Sequence, residues 1–222
     1  MKTIFKKFDK KRITALPVVH FEGRIVVVIS AGEAEKAVDY LLTQPILGVD
    51  TETRPSFKKG QIHKVALLQV STHDTCFLFR LNYLGMAPAI VRLLEDVKVP
   101  KVGLSWHDDI LQLHKRAEFT PGNFIDLQKH VGEIGVEDRS LQKLYANFFG
   151  QRISKSQQLS NWENDVLQEK QKTIEKQVAK PLSWWQQMQM WLGRVVLVAI
   201  AAMAGIWIVR KKTWWLGLFK RK

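Results

Sequence analysis

Residues 46–53 constrain the fold more than any other stretch of the chain. The run Ile46-Leu47-Gly48-Val49 passes directly into Asp50 and Glu52, and a proline stands on either side. Such a run is typical of a buried β-strand, and alternation along it places Asp50 and Glu52 close together on one face. Two like charges this close are unfavourable unless a cation lies between them, and hard cations such as Mg²⁺ or Mn²⁺ prefer oxygen ligands. The alternative is a strand that ends in a solvated polar turn.

The segments that follow predict more strands and a helix with another acid. Residues 61–72 and 75–81 read as two strands, and residues 101–105 as another. A helix is expected from about Trp106, with Asp109 in its first turn, where the helix macrodipole favours a carboxylate. Asp108 is its neighbour but faces about 100° away around the helix. Asp109 is therefore the better candidate for a site residue.

This order of strands and acids resembles the DEDD 3'-5' exonucleases, in the branch of ribonuclease D and the exonuclease domain of the Werner-syndrome protein. The family's Asp-x-Glu motif is matched by Asp50 and Glu52. Its second motif, an Asp within Val-Gly-x-x-x-x-(Asn/Asp)-Asp-aliphatic, is matched by Asp109. Leu159-Ser160-Asn161-Trp162 resembles the family's Ser-x-Trp segment. The resemblance as a whole covers residues 13–172.

The resemblance implies a fold, a reaction and a set of ligands. The fold is α/β and RNase H-like (DnaQ-like), with a five-stranded mixed sheet flanked by helices. The reaction is hydrolysis of the terminal phosphodiester bond at a 3' end of DNA or RNA. Asp50, Glu52 and Asp109 are the implied catalytic residues and the ligands of two divalent metal ions, Mg²⁺ or Mn²⁺.

The family's third motif, Tyr-x-x-x-Asp, is missing from this chain. It should fall near Ile174 and Val178, and no Tyr-x-x-x-Asp occurs after Trp162. Loss of this motif predicts weak or absent activity. The alternative function is a catalytically inactive module that binds nucleic acid or is tethered to a membrane and retains the exonuclease fold.

The loop after the acidic pair supplies candidates for nucleic-acid binding. Arg54, Lys58 and Lys59 directly follow Glu52 along the chain, so they are placed to hold a phosphate. A plain solvated loop is the alternative.

Asp126, at the end of a short predicted strand, is interpreted as a helix cap or structural acid and not as a ligand.

Sequence signals predict where two of the helices begin and end. Ser30 and Glu33 have the spacing of a capping box and predict a helix through about Leu42. A second helix is predicted to follow Ser140 and to end at Gly150. It carries Tyr145, which either supports substrate binding or packs in the core.

The net charge of +13 is concentrated at the two ends of the chain. Residues 176–222 carry +9 and residues 1–12 carry +5, which leaves −1 for residues 13–175. Basicity alone therefore does not establish nucleic-acid binding. The leader of residues 1–12 is interpreted as a solvated tail. The chain has one cysteine and its histidines are scattered, which argues against disulfides and a cysteine zinc site. The sequence shows no secretory signal, which favours a cytoplasmic location.

The end of the chain differs from the rest in composition. Residues 195–209 are all apolar, and residues 191–209 are long enough to cross a bilayer. A membrane anchor, an apolar helix docked on the body and a shifted reading frame all remain open. The predicted organisation is a basic leader (1–12), an exonuclease-like domain (13–175) and a basic, Trp-rich tail (176–222). The oligomeric state is not predicted.

Overall fold

The computed structural model describes residues 3–19, 23–153 and 161–164. The tail from residue 176, with the hydrophobic segment 191–209, lies outside the described residues, as do the expected positions of the third motif. Within the described ranges, no helix is long and apolar enough to cross a membrane. The membrane anchor and the domain boundaries stay predictions.

A mixed β-sheet forms the centre of the molecule. In space its strands follow the order β1-β4-β3-β2-β5-β6, and β3 alone runs against the others. The predicted α/β class with a mixed sheet is confirmed. The sheet has six strands in the described residues, one more than expected, because the short β6 pairs with β5 in parallel. The strands are β1 (Arg24–Val28), β2 (Leu47–Thr53), β3 (Val65–Ser71), β4 (Thr75–Arg80), β5 (Lys101–Gly103) and β6 (Phe124–Asp126).

Helices connect the strands and cover the sheet. The capping box predicted at the start of α2 is present, with Ser30 and Glu33 each bonded to the other's backbone N–H. Gly150 ends α7 in the left-handed conformation, as its position predicted. The helices are α1 (Lys10–Ile13), α2 (Ala31–Leu41), α3 (Leu81–Leu84), α4 (Pro88–Glu95), α5 (Trp106–His114), α6 (Leu127–His130) and α7 (Leu141–Phe149), with a 3₁₀ turn at Val131–Ile134.

Two of the apolar clusters in the described residues include side chains of the sheet. The larger one joins the strands to α2 and α4 through side chains such as Val38 and Leu93, and it also takes in Trp106 of α5. The second contains Trp162, which is 1% exposed and packs with Leu67 and Leu78. Trp162 therefore fixes the segment 161–164 against β3 and β4.

The basic leader is docked against α7, so the expectation of a solvated tail is wrong for its described part. Asn147 accepts a hydrogen bond from the Phe5 backbone N–H and donates one to the Phe5 carbonyl, at 2.9 and 2.7 Å. Phe8 is buried and packs with Ile13 and Ala146. Apolar side chains in the leader thus bury surface that its charge pattern did not reveal.

A close contact at the end of β5 requires glycine. A Cβ at residue 103 would lie 2.7 Å from ring atoms of Trp106 and 2.7 Å from the Val49 carbonyl oxygen. Trp106 is itself buried in the main core, so it has little room to move. Gly103 therefore allows the start of α5 to pack closely against β2.

We expect Gly103→Ala to lower the free energy of unfolding by about 1–3 kcal/mol, since the added methyl group overpacks this contact. Gly32→Ala is the matched control, because a Cβ there meets nothing within 4 Å on helix α2. It should leave stability unchanged or raise it by up to ~1 kcal/mol. Urea titrations of both variants measure the difference. Equal stability of the two variants would contradict this account of Gly103.

Candidate active site

Strand β2 carries two carboxylates past the end of its neighbour β5. β5 pairs with β2 only at Leu47 and Gly48. Asp50 and Glu52 lie beyond that pairing, although β2 is still paired with β3 on its other edge. Both acidic residues are half-buried. The chain that follows β5 can therefore approach the two acids along the uncovered edge of β2.

Helix α5 brings a third carboxylate to this edge. The Thr51 hydroxyl donates a hydrogen bond to Asp109 Oδ1, and the Thr51 backbone N–H donates one to Asp50 Oδ1 at 2.9 Å. Because Thr51 lies between Asp50 and Glu52, Asp109 contacts the strand segment that carries both acids. The three residues come from two separate parts of the chain, and Asp109 reaches β2 at the residue between the other two.

The three acids are not arranged as a finished metal site. Alternation along β2 turns Thr51 to the face opposite Asp50 and Glu52, and Asp109 is hydrogen-bonded to Thr51. Within the part of the chain that the structure describes, no three His, Cys, Asp or Glu side chains are grouped closely enough to hold a metal ion. Asp109 therefore lies beside the pair without facing it directly.

The surroundings of these carboxylates disfavour their charged forms. Burial and the negative charge of Asp109 raise the pKa of Asp50 to about 7, although the Thr51 N–H opposes the shift. Burial also raises the pKa of Asp109, with contributions from the charges of Asp108 and Asp126 and against the hydrogen bond from Thr51. A cluster of partly buried acids that repel one another is the environment that a cation would stabilise.

Asp126 acts as the cap that its position predicted. Its Oδ1 accepts the backbone N–H of Gln128 at 3.0 Å and so caps α6. The same oxygen accepts the N–H of Ser105 at 3.0 Å, at the start of α5. Asp108, the neighbour of Asp109, is exposed.

Arg54 is partly exposed and is held in an ion pair with a distant part of the chain. Its Nη1 lies 3.1 Å from Glu163 Oε2, and His63 Nδ1 lies 3.0 Å from Glu163 Oε1. Burial opposes ionisation of Glu163, but the hydrogen bonds from Arg54 and His63 outweigh it and lower the pKa of that carboxyl. Arg54 thus ties the base of the loop after β2 to the segment 161–164.

The other three predicted residues have different surroundings. Lys58 and Lys59 are exposed near the tip of the loop, next to Phe57, which is 79% exposed. Tyr145 is 4% exposed, packs with Val19 and Ile153, and has its pKa raised to about 12 by burial. Tyr145 is therefore a core residue, which agrees with the packing alternative and not with a direct contact to substrate.

Sequence reasoning missed the residues that connect these parts. Thr51 binds Asp109, and Glu163 binds Arg54 and His63. The position of Thr51 between the two acids was a usable signal, since it shares their strand. The sequence signal for Glu163 was weaker, and consisted of its position directly after the Ser-x-Trp segment.

Comparison with known proteins gives a consistent family and fold. The family model for 3'-5' exonucleases matches residues 25–173, which is more than half of the chain. The mouse bifunctional 3'-5' exonuclease/ATP-dependent helicase WRN is 28% identical over 167 residues, which cover 71% of this chain and 12% of that protein. The chain thus spans a small part of this relative.

Solved structures of RNase D share the fold. Escherichia coli RNase D matches with a TM-score of 0.66 and 14% identity, over 78% of this chain and 45% of that chain. Trypanosoma brucei RNase D in complex with RNA U12 matches with a TM-score of 0.61 and 17% identity, over 72% of this chain and 62% of that chain. The predicted RNase H-like architecture is confirmed, and the chain belongs to the 3'-5' exonuclease family.

Proposed function

We propose that this chain is a metal-dependent exonuclease that removes nucleotides from the 3' end of DNA or RNA. The contact between Asp109 and Thr51, which brings a third carboxylate to the strand segment of Asp50 and Glu52, carries the proposal. The family to which the chain belongs supports it, and so does the likeness to an RNase D whose structure contains RNA. The similar proteins are longer than this chain, so their substrates are assigned to it only as a proposal.

The residues at this edge fit a hard divalent cation. Asp50, Glu52 and Asp109 offer only carboxylate oxygens, which are the ligands that Mg²⁺ and Mn²⁺ prefer. The hydrogen bond from Thr51 is made to Asp109 Oδ1, and an ionised carboxylate has further lone pairs on its two oxygens. When bound, two such ions would supply an activated water and charge stabilisation for the leaving 3' oxygen.

The chain's own contribution is to position groups and tune their charges. The backbone N–H and hydroxyl of Thr51 orient Asp50 and Asp109 at the same point on β2. In the proposed reaction, water adds to the terminal phosphorus, the bond to the 3' oxygen breaks, and that oxygen leaves as a hydroxyl. The product is a nucleoside 5'-monophosphate. No side-chain nucleophile is required for this hydrolysis.

A second candidate function has one observation in its favour. The chain lacks Tyr-x-x-x-Asp after Trp162, so the fourth carboxylate and the tyrosine of the family's third motif have no counterpart there. Removal of ligands or their orienting partners commonly costs large factors in activity. The alternative is a module that binds nucleic acid and does not cleave it.

The loop after β2 is the proposed contact for nucleic acid. Lys58 and Lys59 are exposed beside Phe57, and the left-handed Gly60 closes the turn at the tip. Aromatic side chains stack on bases and lysines bind phosphates, which together suit a single strand. Arg54 fixes the base of this loop through Glu163 and is not proposed to contact phosphate.

We expect Asp50→Ala and Asp109→Ala each to lower the rate of nucleotide release by at least ~100-fold, since each removes a proposed metal ligand. Asp108→Asn is the matched control, and it should retain activity within a few-fold because Asp108 is exposed and not assigned as a ligand. The assay uses 5'-labelled single-stranded DNA and RNA with Mg²⁺ or Mn²⁺. Binding without turnover in the unaltered protein, retained in Asp50→Ala, would establish the second candidate function instead.

The stability of the metal-free protein should depend on pH through Asp50. Its pKa is about 7 in the folded protein against an ordinary 3.8, so between these values the folded state keeps a proton that the unfolded state has lost. Stability should therefore fall, by up to ~4 kcal/mol, as the pH rises from about 4 to about 7. Asp50→Asn should remove the part of this dependence that comes from Asp50 and leave the part that comes from Asp109, whose pKa is also raised.

Thermal unfolding in EDTA and in Mn²⁺ at pH 5, 7 and 8 measures this effect. Mn²⁺ should raise the unfolding temperature of the unaltered protein most at pH 8, where the carboxylates are ionised, and raise that of Asp50→Asn less. Identical profiles for the two proteins, with no response to Mn²⁺, would exclude a metal site at Asp50.

Replacement of both Lys58 and Lys59 by Ala should weaken binding of a single strand and reduce its salt dependence. Each lost phosphate contact lowers the slope of log affinity against log salt by about 0.7. Phe57→Ala should weaken binding about tenfold through lost stacking. Lys98→Ala is the control, since Lys98 is an exposed lysine just before β5, which is parallel to β2, so it lies at the other end of the strands from the loop after β2. Fluorescence anisotropy tests this, and equal affinity of the loop variants and the control would disprove the loop's role.

A further inference from the structure

The turn into α5 contains a strained residue. Ser105 precedes Trp106 with φ 64° and ψ 38°, the left-handed conformation, and no other non-glycine residue in the described ranges has a positive φ. A residue with a side chain adopts this conformation at a cost of about 1–2 kcal/mol unless its surroundings hold it there. The Ser105 side chain forms no capping hydrogen bond to α5, so the restraint comes from another group.

That restraint is the side chain of Asp126. Its Oδ1 accepts the Ser105 N–H and the Gln128 N–H, both at 3.0 Å, so one oxygen joins the beginnings of α5 and α6. Strand pairing brings Asp126 close to Ser105, because Asp126 on β6 lies opposite Gly103, the last residue of β5. A cap for α6 alone would need only the bond to Gln128. The bond to Ser105 instead fixes the direction in which the chain leaves β5.

This direction decides where Asp109 lies. Asp109 is four residues after Ser105, about one helical turn into α5, and it reaches Thr51 on β2. The negative charge of Asp126 is near enough to raise the pKa of Asp109. A change in the turn at Ser105 would rotate the first turn of α5 and move Asp109 away from Asp50 and Glu52.

We propose that Asp126 is a positioning residue, whose Oδ1 holds the turn at Ser105 and thereby sets the approach of Asp109 to β2. The inference rests on the proposed function, since it assigns Asp126 a role toward the same three carboxylates. Asp126 itself does not touch substrate or metal. Its contribution is to keep Asp109 where its carboxylate can act together with Asp50.

The test compares variants that keep or lose the oxygen acceptor. Asp126→Ala should lower kcat and Mn²⁺ affinity by about 10–100-fold, as loss of an orienting partner commonly does, with KM for the nucleic acid unchanged. Asp126→Asn keeps an amide oxygen and should stay within about threefold of the unaltered protein. Mn²⁺ binding to the metal-free protein by calorimetry gives a readout that does not depend on turnover.

A second-site change distinguishes positioning from simple loss of stability. Glycine adopts the left-handed conformation readily, so Ser105→Gly should restore much of the Mn²⁺ affinity lost in Asp126→Ala. Ser30→Ala is the matched control, because it removes a helix cap from α2 and is not part of the site. It should lower stability by about 1 kcal/mol with no change in Mn²⁺ affinity. If Asp126→Ala does not fold, Asp126→Glu gives the same comparison, since it moves the carboxylate by one methylene group.

The outcomes separate the two proposals. Unchanged Mn²⁺ affinity and kcat in Asp126→Ala would overturn the positioning role and leave the proposed function standing. An unaltered protein that binds Mn²⁺ without turnover would refute only the exonuclease activity, and the Mn²⁺ comparison would still decide the role of Asp126. An unaltered protein that binds no Mn²⁺ would overturn both.

Discussion

The partial burial of mutually repelling carboxylates against one strand is the constraint on which the described site depends. Asp50 and Asp109 both have a raised pKa because burial weakens their hydration and because neighbouring acids repel them. The raised pKa, about 7, makes Asp50 harder to ionise than an ordinary aspartate. Such an arrangement costs stability, and it is characteristic of functional sites, where a ligand offsets the cost. A divalent cation has the charge and the ligand preference to do so.

The length of β5 makes this arrangement possible. β5 has three residues and leaves β2 after Gly48, so the edge beside Asp50 is uncovered. Gly103 then permits Trp106 to pack against the backbone of β2, and Ser105 turns the chain into α5. The first turn of α5 is thereby directed at the uncovered edge. A longer β5 would have paired with β2 at Asp50 and kept α5 away from it.

Features that depend on local spacing were predictable from the sequence, and those that depend on distant contacts were not. The shared face of Asp50 and Glu52 follows from strand alternation, and the capping box of Ser30 from its distance to Glu33. The pair of Arg54 and Glu163, by contrast, joins residues 109 positions apart. The docked leader depends on contacts 142 positions apart. In a single sequence Arg54 and the leader both look solvated, because the residues that pair with them are far away along the chain.

If the proposed metal site forms, the charge of its three acids would couple metal binding to substrate. Fully ionised, Asp50, Glu52 and Asp109 carry a charge of −3, while two divalent cations carry +4. The resemblance implies a fourth carboxylate from the family's third motif, which would balance the charges of two cations without substrate. In the proposed reaction, the phosphate at a 3' end would bring further negative charge to the site. The second cation would then bind tightly only together with nucleic acid, since burial makes an unbalanced charge costly. Under the proposed function, such coupling would account for a site that keeps its three acids without the third motif and turns over slowly.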